Sequence, residues 1–323
     1  MSVLRALTNQ DRILILAPHP DDESLATGGL IQVALEAGAE VRVLYATNGD
    51  NNPWPQRVRE RRIRIGAEGR RRWGRLRQAE AVAALSHLGV TRAASGMAFL
   101  GFPDQGFQSA VLEMDAAPLD ALAREIGHFR PTLLVTPSLH DRHPDHNSLA
   151  LIAGLALQRV GLQVERLVYL VHTNGRTPLH TRIELPLTPA RQRRKREAIA
   201  LHSTQMLLSR RRLLGHAGPV EVFYKPVDPQ AGHANHPLAS AHVSGDHIHL
   251  WMPAAELPRL PSKLFISMER LEEGGVRWVM PLPFRSGPVA VRDNLSGARV
   301  GEAFADVTER GTSIRIPLAR MES

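Results

Sequence analysis

One short apolar segment near the start of the chain, Arg12–Ala17 (RILILA), places the strongest limit on the fold. Its apolar residues are consecutive and do not alternate with polar ones, a pattern typical of a strand buried on both faces of a parallel sheet. A helical pattern from Asp22 to Gly38 follows, and then a second apolar segment, Val41–Thr47. Because parallel neighbours need a long crossover connection, this order predicts a strand–helix–strand unit.

The same alternation continues to about residue 225. Further strands are predicted at Met97–Leu100, Thr132–Thr136, Leu167–His172 and Val220–Lys225, and helices at Leu76–Leu88, Ala116–Phe129, Ser148–Val160 and Arg191–His202. The polar segment Asn48–Pro55 predicts a loop, and Gly28-Gly29 predicts close packing of the first helix. We therefore predict an α/β fold with a Rossmann-like open, mostly parallel sheet and helices on both of its faces.

The pattern changes after Pro226. Residues 228–237 are rich in Pro, His and Gly, which predicts a linker. Short alternating strands follow at His247–Met252, Lys263–Met268, Val276–Met280, Val289–Arg292 and Thr312–Ile316. The 323 residues are thus divided into a predicted α/β domain at 1–227 and, at 228–323, the linker with a small C-terminal β-rich domain.

The basic charge of the chain is concentrated in one stretch. Residues 57–77 contain ten arginines and two glutamates, so they carry the whole formal net charge of +8. Three glycines within the stretch argue against one long helix. Such a stretch is either a solvated surface, the border of a site for an anionic substrate, or a nucleic-acid contact. Nucleic acid is disfavoured because only Trp73 and the flanking Trp54 supply aromatic rings for stacking.

Cysteine usage and hydropathy exclude several other classes of protein. The chain has no cysteine, which excludes a disulfide framework, a thiol nucleophile and a cysteine-ligated zinc site. The first eleven residues do not resemble a secretory signal, and no apolar segment approaches the ~20 residues of a membrane span. We therefore expect a cytoplasmic protein without a membrane span, in which histidines and carboxylates hold any metal.

The first cluster of chemically useful residues, Pro18-His19-Pro20-Asp21-Asp22-Glu23, comes directly after the first strand. In an open α/β sheet this turn lies at the carboxyl edge, where ligands bind. A nucleotide-binding turn would carry glycines here, whereas three carboxylates and an imidazole suit a divalent cation and repel phosphate. The turn therefore predicts a metal site rather than a nucleotide site.

The second cluster, His140-Asp141-Arg142-His143-Pro144-Asp145-His146-Asn147, follows the predicted strand Thr132–Thr136. Both clusters come after strands, so we expect them to meet at one edge of the sheet. Hydrolytic zinc sites use three protein ligands and lower the pKa of a bound water to about 7. His19, Asp22 and His146 would form such a set.

The remaining residues of the two clusters supply acid–base groups. Asp21 can act as general base, and His143 can protonate the leaving group or stabilise an oxyanion. Asp145 can orient a histidine that binds the metal.

These motifs resemble those of the PIG-L/LmbE-like family of zinc-dependent N-acetylglucosaminyl deacetylases. The family's opening motif, A-H-P-D-D-E, stands here as Pro18-His19-Pro20-Asp21-Asp22-Glu23, and its H-P-D-H motif stands as His143-Pro144-Asp145-His146. Shorter matches follow the same order at Gly28-Gly29, Thr47-Asn48-Gly49, Arg77-Gln78-Ala79-Glu80, Leu88-Gly89, Phe102-Pro103-Asp104, Lys195-Arg196-Glu197-Ala198 and His202-Ser203-Thr204-Gln205. The resemblance covers about Ile13 to Tyr224.

The resemblance implies a role for each matching residue. The zinc ligands would be His19, Asp22 and His146, the general base Asp21, the oxyanion or acid histidine His143, and the sugar contacts Arg77 and Asp104. Some relatives place a tyrosine just before H-P-D-H. Asp141-Arg142 occupies that region here, so zinc and His143 would stabilise the oxyanion without it.

A second histidine-rich region lies near the start of the C-terminal part, at His233, His236, His242, His247 and His249. His247 and His249 alternate along a predicted strand and would share one face. A second metal site is one interpretation, but exposed histidines of a linker and strand are favoured because only Asp246 supplies a nearby carboxylate.

We therefore predict a hydrolase that uses Zn2+, or another divalent ion such as Fe2+, to remove the N-acetyl group from an N-acetylglucosamine-type sugar. The expected partner is a small-molecule glycoconjugate, anionic if the arginine stretch contacts it; nucleic acid is not expected, and a homo-oligomer stays open. One alternative is the same chemistry on a non-sugar N-acyl substrate. The other is an arginine-rich module that binds an anion or nucleic acid.

Overall fold

A computed structural model of the chain describes residues 2–90, 96–107, 109–110, 115–139, 141–173, 181–226, 239–245, 247–253, 263–268, 276–281, 287–293 and 299–317. These residues divide into two compact units. The first comprises residues 2–110 and 117–226, and the second consists mainly of residues 239–317. The predicted linker at 228–237 lies outside the described residues.

The first unit is built on an eight-stranded sheet. Its strands are β1 (Ser2–Val3), β2 (Arg12–Ala17), β3 (Glu40–Thr47), β4 (Met97–Phe102), β5 (Leu133–Pro137), β6 (Glu165–Tyr169), β7 (Arg182–Pro186) and β8 (Val220–Tyr224). Its helices are α1 (Asp22–Glu36), α2 (Pro53–Glu60), α3 (Ala67–Leu88), α4 (Ala117–Phe129), α5 (Pro144–Val160), α6 (Pro189–Leu201) and α7 (Ser203–Leu214). The predicted α/β fold is confirmed.

The strand order, β1-β7-β8-β6-β5-β2-β3-β4, explains why the two sequence clusters meet. Strand β2 pairs in parallel with β3 on one side and with β5 on the other. The chain therefore leaves β2 in one direction through β3 and β4, and later returns to β2's other side through β5. A crevice forms at such a switch point outside the carboxyl ends of the strands, and here the loops after β2 and β5 border it.

Strand β2 is buried on both faces, as its unbroken apolar sequence predicts. Ile13 and Ile15 belong to a core shared with buried residues of α1, α3 and α6. Leu14 and Leu16 are also fully buried, and alternation along the strand directs them to the opposite face, where α4 and α5 pack. Helices therefore cover both sides of the sheet.

The structure corrects the predictions on either side of the arginine stretch. The predicted loop at Asn48–Pro55 ends earlier than expected, because helix α2 begins at Pro53. Proline is tolerated in the first turn of a helix because a backbone N–H there has no partner within the helix. Helix α3 begins at Ala67 rather than at Leu76. Gly74 lies within α3, where an added Cβ would lie 3.0 Å from the Asp50 Cβ, so glycine allows a close approach of the helix to this loop.

Besides α2, three further short polar elements of the first unit were not predicted. They are β1, β7 and α7, and none of them has a long apolar pattern. Strand β1 pairs in parallel with β7, while β8 pairs in antiparallel with both β6 and β7. These elements extend the edge of the sheet, and α7 contributes to the cavity described below.

A buried ion pair fixes helix α1 against two distant elements. The Lys195 Nζ of α6 lies 2.6 Å from Glu221 Oε1 of β8, and both side chains are at most 2 % exposed. The other oxygen of Glu221 accepts a hydrogen bond from the backbone N–H of Leu30 in α1, at 2.8 Å. Gly29 permits this approach, because a Cβ there would lie 2.4 Å from the Leu187 Cδ2. The predicted close packing of Gly28-Gly29 is thereby confirmed.

We predict that Lys195→Met lowers the free energy of unfolding by about 3–5 kcal/mol, because it leaves the Glu221 carboxylate buried without its cation. Chemical denaturation of the two proteins measures this difference. The matched control is Asp120→Asn, which breaks an exposed pair with Arg159 and should cost at most about 1 kcal/mol. Equal losses in the two variants would contradict this account of the buried pair.

The second unit is a seven-stranded antiparallel sheet with the order β11-β12-β13-β14-β15-β10-β9. Its strands are β9 (Ser240–Ser244), β10 (His247–Pro253), β11 (Lys263–Met268), β12 (Val276–Pro281), β13 (Gly287–Asp293), β14 (Arg299–Thr308) and β15 (Gly311–Pro317). Strands β9 and β14 were not predicted. Ile248, Leu250 and Met252 of β10 are buried on one face, so His247 and His249 lie on the other.

No helix in the described part of the chain combines the length and the hydropathy needed to cross a bilayer.

Candidate functional site

The two sequence clusters meet in a cavity of about 210 Å³ at the carboxyl edge of the first sheet. The cavity is lined by residues that follow β2, β3, β4, β5 and β6 and by residues of α1, α3 and α7. These are His19, Asp21, Asp22, Leu25, Asn51, Asn52, Arg77, Asp104, Gln105, His143, Val171, His172, Gln205, Arg212 and Leu213. The wall is predominantly polar, which suits a hydrophilic ligand.

The three predicted metal ligands lie close together, with one carboxylate oxygen of Asp22 next to a ring nitrogen of each histidine. Asp22 Oδ2 lies 3.2 Å from His19 Nδ1 and 3.2 Å from His146 Nε2. All three residues are buried. His19 follows β2 and His146 lies in the first turn of α5, so the sheet order brings together residues far apart in the sequence.

The geometry at His146 fits a bound cation better than a hydrogen bond. Both ring nitrogens are buried, and among the described residues neither has a partner with good hydrogen-bond geometry, although each lies 3.2 Å from a carboxylate oxygen. Ligands of a tetrahedral ion with bonds of about 2.0–2.1 Å lie roughly 3.3 Å apart. The spacing of Asp22 Oδ2 from His146 Nε2 and from His19 Nδ1 is therefore that of atoms sharing one ion.

Each of these histidines also has a carboxylate at its other nitrogen. His19 Nε2 lies 3.3 Å from both Asp104 Oδ1 and Asp145 Oδ2. His146 Nδ1 lies 3.2 Å from Asp141 Oδ2. A carboxylate at the far nitrogen of a metal-binding histidine fixes the ring orientation and raises its basicity. The orienting role predicted for Asp145 is consistent with this geometry.

The electrostatic field at these groups stabilises positive charge. Burial would lower the pKa of His146, but Asp22 and Asp141 raise it to about 9. Burial opposes ionisation of Asp22, yet His146 and His19 hold its pKa well below the usual range. A divalent cation would supply the same positive charge to these carboxylates. The donor set of nitrogen and oxygen atoms suits zinc and other first-row divalent ions.

Among the described residues, the possible metal ligands form three overlapping sets, and the donor atoms within each set lie within 4.8 Å of one another. The sets are His19 with His143 and His146, Asp141 with His146 and His172, and His19 with Asp104 and Asp145. The first set contains both histidines of the predicted triad. Asp22 joins them through the distances given above.

Asp21 faces the cavity beside these groups without belonging to the sets. Its Oδ1 lies 3.1 Å from Arg77 Nη2, and its backbone N–H donates to Glu23 Oε2 at 3.0 Å. Burial raises the pKa of Asp21, and the neighbouring Asp22 adds to this effect although Arg77 opposes it. A carboxylate with a raised pKa is suited to accept and return a proton near neutral pH.

His143 caps helix α5 and is held as a neutral ring. Its Nδ1 accepts a hydrogen bond from the backbone N–H of Asp145, at 3.2 Å. Burial lowers the pKa of His143 to about 4, and the neighbouring His19 and His146 contribute to the shift. Since Nδ1 accepts, the single ring proton lies on Nε2, which leaves this N–H as a donor.

The two predicted sugar contacts line the cavity but are already engaged within the protein. The Arg77 guanidinium donates to the backbone oxygens of Gly49 at 3.0 Å and Pro20 at 3.2 Å. Burial would raise the pKa of Asp104, but His19 and Arg77 lower it to about 2. Arg77 therefore fixes the loops after β2 and β3 as well as facing the cavity, which the sequence did not indicate.

Sequence reasoning missed the positions of Asp141 and His172. Asp141 is buried, and it accepts hydrogen bonds from the backbone N–H groups of His143, Val171 and His172. It thereby joins the loops after β5 and β6. The neighbour His140 lies outside the described residues. Asp141 stands within the second cluster, so its sequence position was a usable signal, but His172 carries no motif.

Sequence reasoning also gave no role to the pair of His202 and Glu23. His202 Nε2, between α6 and α7, lies 3.1 Å from Glu23 Oε1, and both side chains are buried. Because Glu23 Oε2 accepts from the backbone of Asp21, this pair supports the turn that carries Asp21. Arg212 of α7 also lines the cavity. The short His202-Ser203-Thr204-Gln205 match was the available signal for this region.

The other predicted histidine cluster does not form a comparable arrangement in the part of the chain that is described. The rings of His247 and His249 lie 6.3 Å apart, as expected for alternating residues of one strand face. Within the described ranges, all three sets of possible metal ligands belong to the first unit. His233, His236 and Asp246 lie outside those ranges.

An open, mostly parallel α/β sheet that carries a buried histidine–carboxylate centre at its switch point defines this unit as a candidate metallohydrolase domain. Comparison with protein families makes the assignment specific. Residues 14–157 match the family model PIG-L, described as GlcNAc-PI de-N-acetylase. This part of the chain is therefore similar to the PIG-L family, in agreement with the resemblance of its motifs.

Similar proteins include bacterial deacetylases. A 1D-myo-inositol 2-acetamido-2-deoxy-alpha-D-glucopyranoside deacetylase of Mycobacterium sp. (strain KMS) is 32% identical over 174 residues, which cover 50% of this chain and 54% of the relative. The corresponding protein of Mycolicibacterium smegmatis is 36% identical over 148 residues, covering 42% and 49%. The chain thus spans about half the length of these relatives.

Solved structures support the fold. A deacetylase of the teicoplanin biosynthetic pathway superposes with a TM-score of 0.52 at 23% identity, covering 66% of this chain and 97% of the other. An antimicrobial reagent pseudoaglycone deacetylase gives a TM-score of 0.52 at 20% identity, covering 67% and 97%. At these identities the likeness concerns the fold.

We predict that Asp141→Asn weakens Zn2+ binding about 10- to 100-fold, because the ring of His146 loses the carboxylate that orients it. Competition with a chelator of known affinity measures the effect. Asp120→Asn is the control, since it removes an exposed carboxylate that pairs with Arg159 rather than with a histidine. Unchanged affinity in Asp141→Asn would contradict the proposed contribution of Asp141.

Proposed function

We propose that this chain is a metal-dependent N-deacetylase that removes the acetyl group from an N-acetylglucosamine-type sugar in a glycoconjugate. One observation carries the proposal: Asp21 lies beside the buried group of His19, Asp22 and His146, within the part of the chain that is similar to the PIG-L family. The mycobacterial relatives are deacetylases of an acetamido-glucopyranoside of inositol, which supports the substrate class.

His19, Asp22 and His146 would hold the metal, which we propose to be zinc. Bound zinc would act as a Lewis acid and lower the pKa of a coordinated water. Asp104, Asp141 and Asp145 would keep the two histidine rings oriented toward it. The cavity of about 210 Å³ would receive the acetamido group, with polar side chains on its walls.

Asp21 serves as the general base in this proposal. It removes a proton from the attacking water while the water oxygen forms a bond to the acetamide carbon. When the carbon–nitrogen bond breaks, Asp21 returns the proton to the leaving nitrogen, and the products are acetate and a free amine. The raised pKa of Asp21 supports both transfers, because it makes the carboxylate a stronger base toward the attacking water and lets it hold the proton until the nitrogen leaves.

His143 serves as an oxyanion donor rather than as an acid. Its lowered pKa keeps the ring neutral, and its Nδ1 is used by the α5 backbone, so it has one N–H to offer. That Nε2–H stabilises the negative charge that develops on the carbonyl oxygen during attack. Arg77 holds Asp21 and the adjoining loops in place through its four polar contacts.

We predict that Asp21→Asn lowers kcat for acetate release by about 10²- to 10⁴-fold, because the amide keeps the size of the side chain but accepts no proton. Acetate release from N-acetylglucosamine conjugates and metal analysis of the same preparations check this. The metal content should match that of the wild type. Absence of bound metal in the wild type, or unchanged turnover in the variant, would refute the mechanism.

We predict that His143→Ala lowers kcat by about 10²- to 10³-fold with a smaller change in KM, because the lost donor acts on charge that develops in the transition state. His143→Gln, which retains an N–H donor, should recover part of this loss. Thermal unfolding of both variants separates catalysis from the loss of the α5 cap, which costs about 1 kcal/mol. Equal kcat values for His143→Ala and the wild type would exclude the role.

A further inference from the structure

The arginine-rich stretch borders a second, smaller cavity beside the candidate active site. This cavity has a volume of about 100 Å³ and is lined by Asp50, Asn51, Pro53, Gln56, Arg57, Ile65 and Arg70. Asn51 lines both this cavity and the larger one. Its backbone oxygen also accepts a hydrogen bond from Gln105 of the larger cavity, at 3.1 Å. The two spaces are therefore neighbours across a single residue.

The two arginines of this cavity have no anionic partner among the residues that the structure describes. Arg57 stacks its guanidinium on the ring of Trp54, at 4.9 Å from the centroid. Its Nε is buried and has no hydrogen-bond partner within the described ranges. Burying a guanidinium N–H without an acceptor is costly. Arg57 thus presents an unused donor at a position where an anion would be stabilised.

Other arginines of the stretch that have contacts use them differently. Arg72 pairs with Glu60 at 2.8 Å, and Arg59 donates to Ser203 at 3.3 Å. Arg77 is tied to Asp21 and to backbone oxygens of the catalytic loops. Arg57 and Arg70 differ from these three. Both line the small cavity, and neither guanidinium pairs with a carboxylate or a hydroxyl group among the described residues. The stretch is therefore not uniform in what its charges do.

One residue that lines the small cavity, Asp50, is hydrogen-bonded to a residue of the candidate active site. Asp50 Oδ1 accepts a hydrogen bond from the backbone N–H of Asp104, at 2.9 Å. Its carboxylate is used to hold this loop and forms no ion pair with the two arginines within the described part of the chain. The cavity wall therefore keeps a net positive charge of about one.

We propose that this cavity, here called the anion subsite, binds a phosphate or carboxylate group on the part of the substrate beyond its acetamido sugar. Guanidinium groups bind both anions through charge-assisted hydrogen bonds. A volume of about 100 Å³ corresponds to roughly three water molecules, which suits such a group but not a second sugar ring. The proposed deacetylase would thus act on an anionic glycoconjugate, and this part of the inference rests on the proposed function.

The first experiment compares three N-acetylglucosamine conjugates whose aglycone carries a phosphate monoester, a carboxylate, or the methyl ester of that carboxylate. Arg57→Gln and Arg70→Gln should each raise KM for the preferred anionic conjugate about tenfold, with kcat unchanged. KM for the neutral ester should change less than about twofold. The anionic conjugate with the lower KM in the wild type shows whether the cavity prefers phosphate or carboxylate.

Arg71→Gln is the matched control, because it removes the same charge from the adjacent residue, which is exposed and does not line the cavity. It should leave all three KM values within about twofold of the wild type. Equal effects of Arg70→Gln and Arg71→Gln, or equal effects on the anionic and neutral conjugates, would overturn the subsite.

A second experiment tests the subsite without turnover. Calorimetric titration with inorganic phosphate and with succinate should show weaker binding to the Arg57→Gln/Arg70→Gln protein than to wild type and to Arg71→Gln, by at least about fivefold for one of the two anions. Unchanged affinity for both anions would refute the subsite. If wild type releases no acetate from any conjugate but its anion binding depends on both arginines, the proposed function fails while the subsite stands.

Discussion

The candidate site depends on one buried carboxylate oxygen, Asp22 Oδ2. It accepts a hydrogen bond from the His19 backbone N–H at 2.9 Å and lies 3.2 Å from a ring nitrogen of both His19 and His146. These histidines follow different strands, so this oxygen links the loop after β2 to the start of α5. A buried carboxylate is stable only beside positive charge, which the histidines, or a cation held between them, supply.

The environment gives neighbouring carboxylates different chemical properties. Asp21 and Asp22 are adjacent in sequence, yet burial raises the pKa of Asp21 while the histidines hold the pKa of Asp22 below its usual range. Carboxylates whose environments separate their pKa values are commonly divided between proton transfer and charge stabilisation. The difference supports assigning the base to Asp21 and metal binding to Asp22.

The charge of the arginine stretch is likewise divided by its surroundings. Arg77 is buried among the catalytic loops, Arg72 pairs with Glu60, and Arg57 and Arg70 border a cavity next to the site. Trp73 is buried, so it offers no ring for stacking on a nucleic-acid base. The position of each arginine in α2 and α3, rather than the net charge of +8, decides its contribution.

The sequence by itself determined most strands of the first sheet, because segments such as Arg12–Ala17 are apolar enough to specify a buried strand locally. It also placed the two histidine–aspartate clusters after strands. Only the tertiary structure brought Asp141 to His146, His202 to Glu23, and Arg57 and Arg70 to one cavity. The short polar elements α2, β7 and α7 escaped prediction for the same physical reason: they are stabilised by long-range packing, which no local pattern encodes.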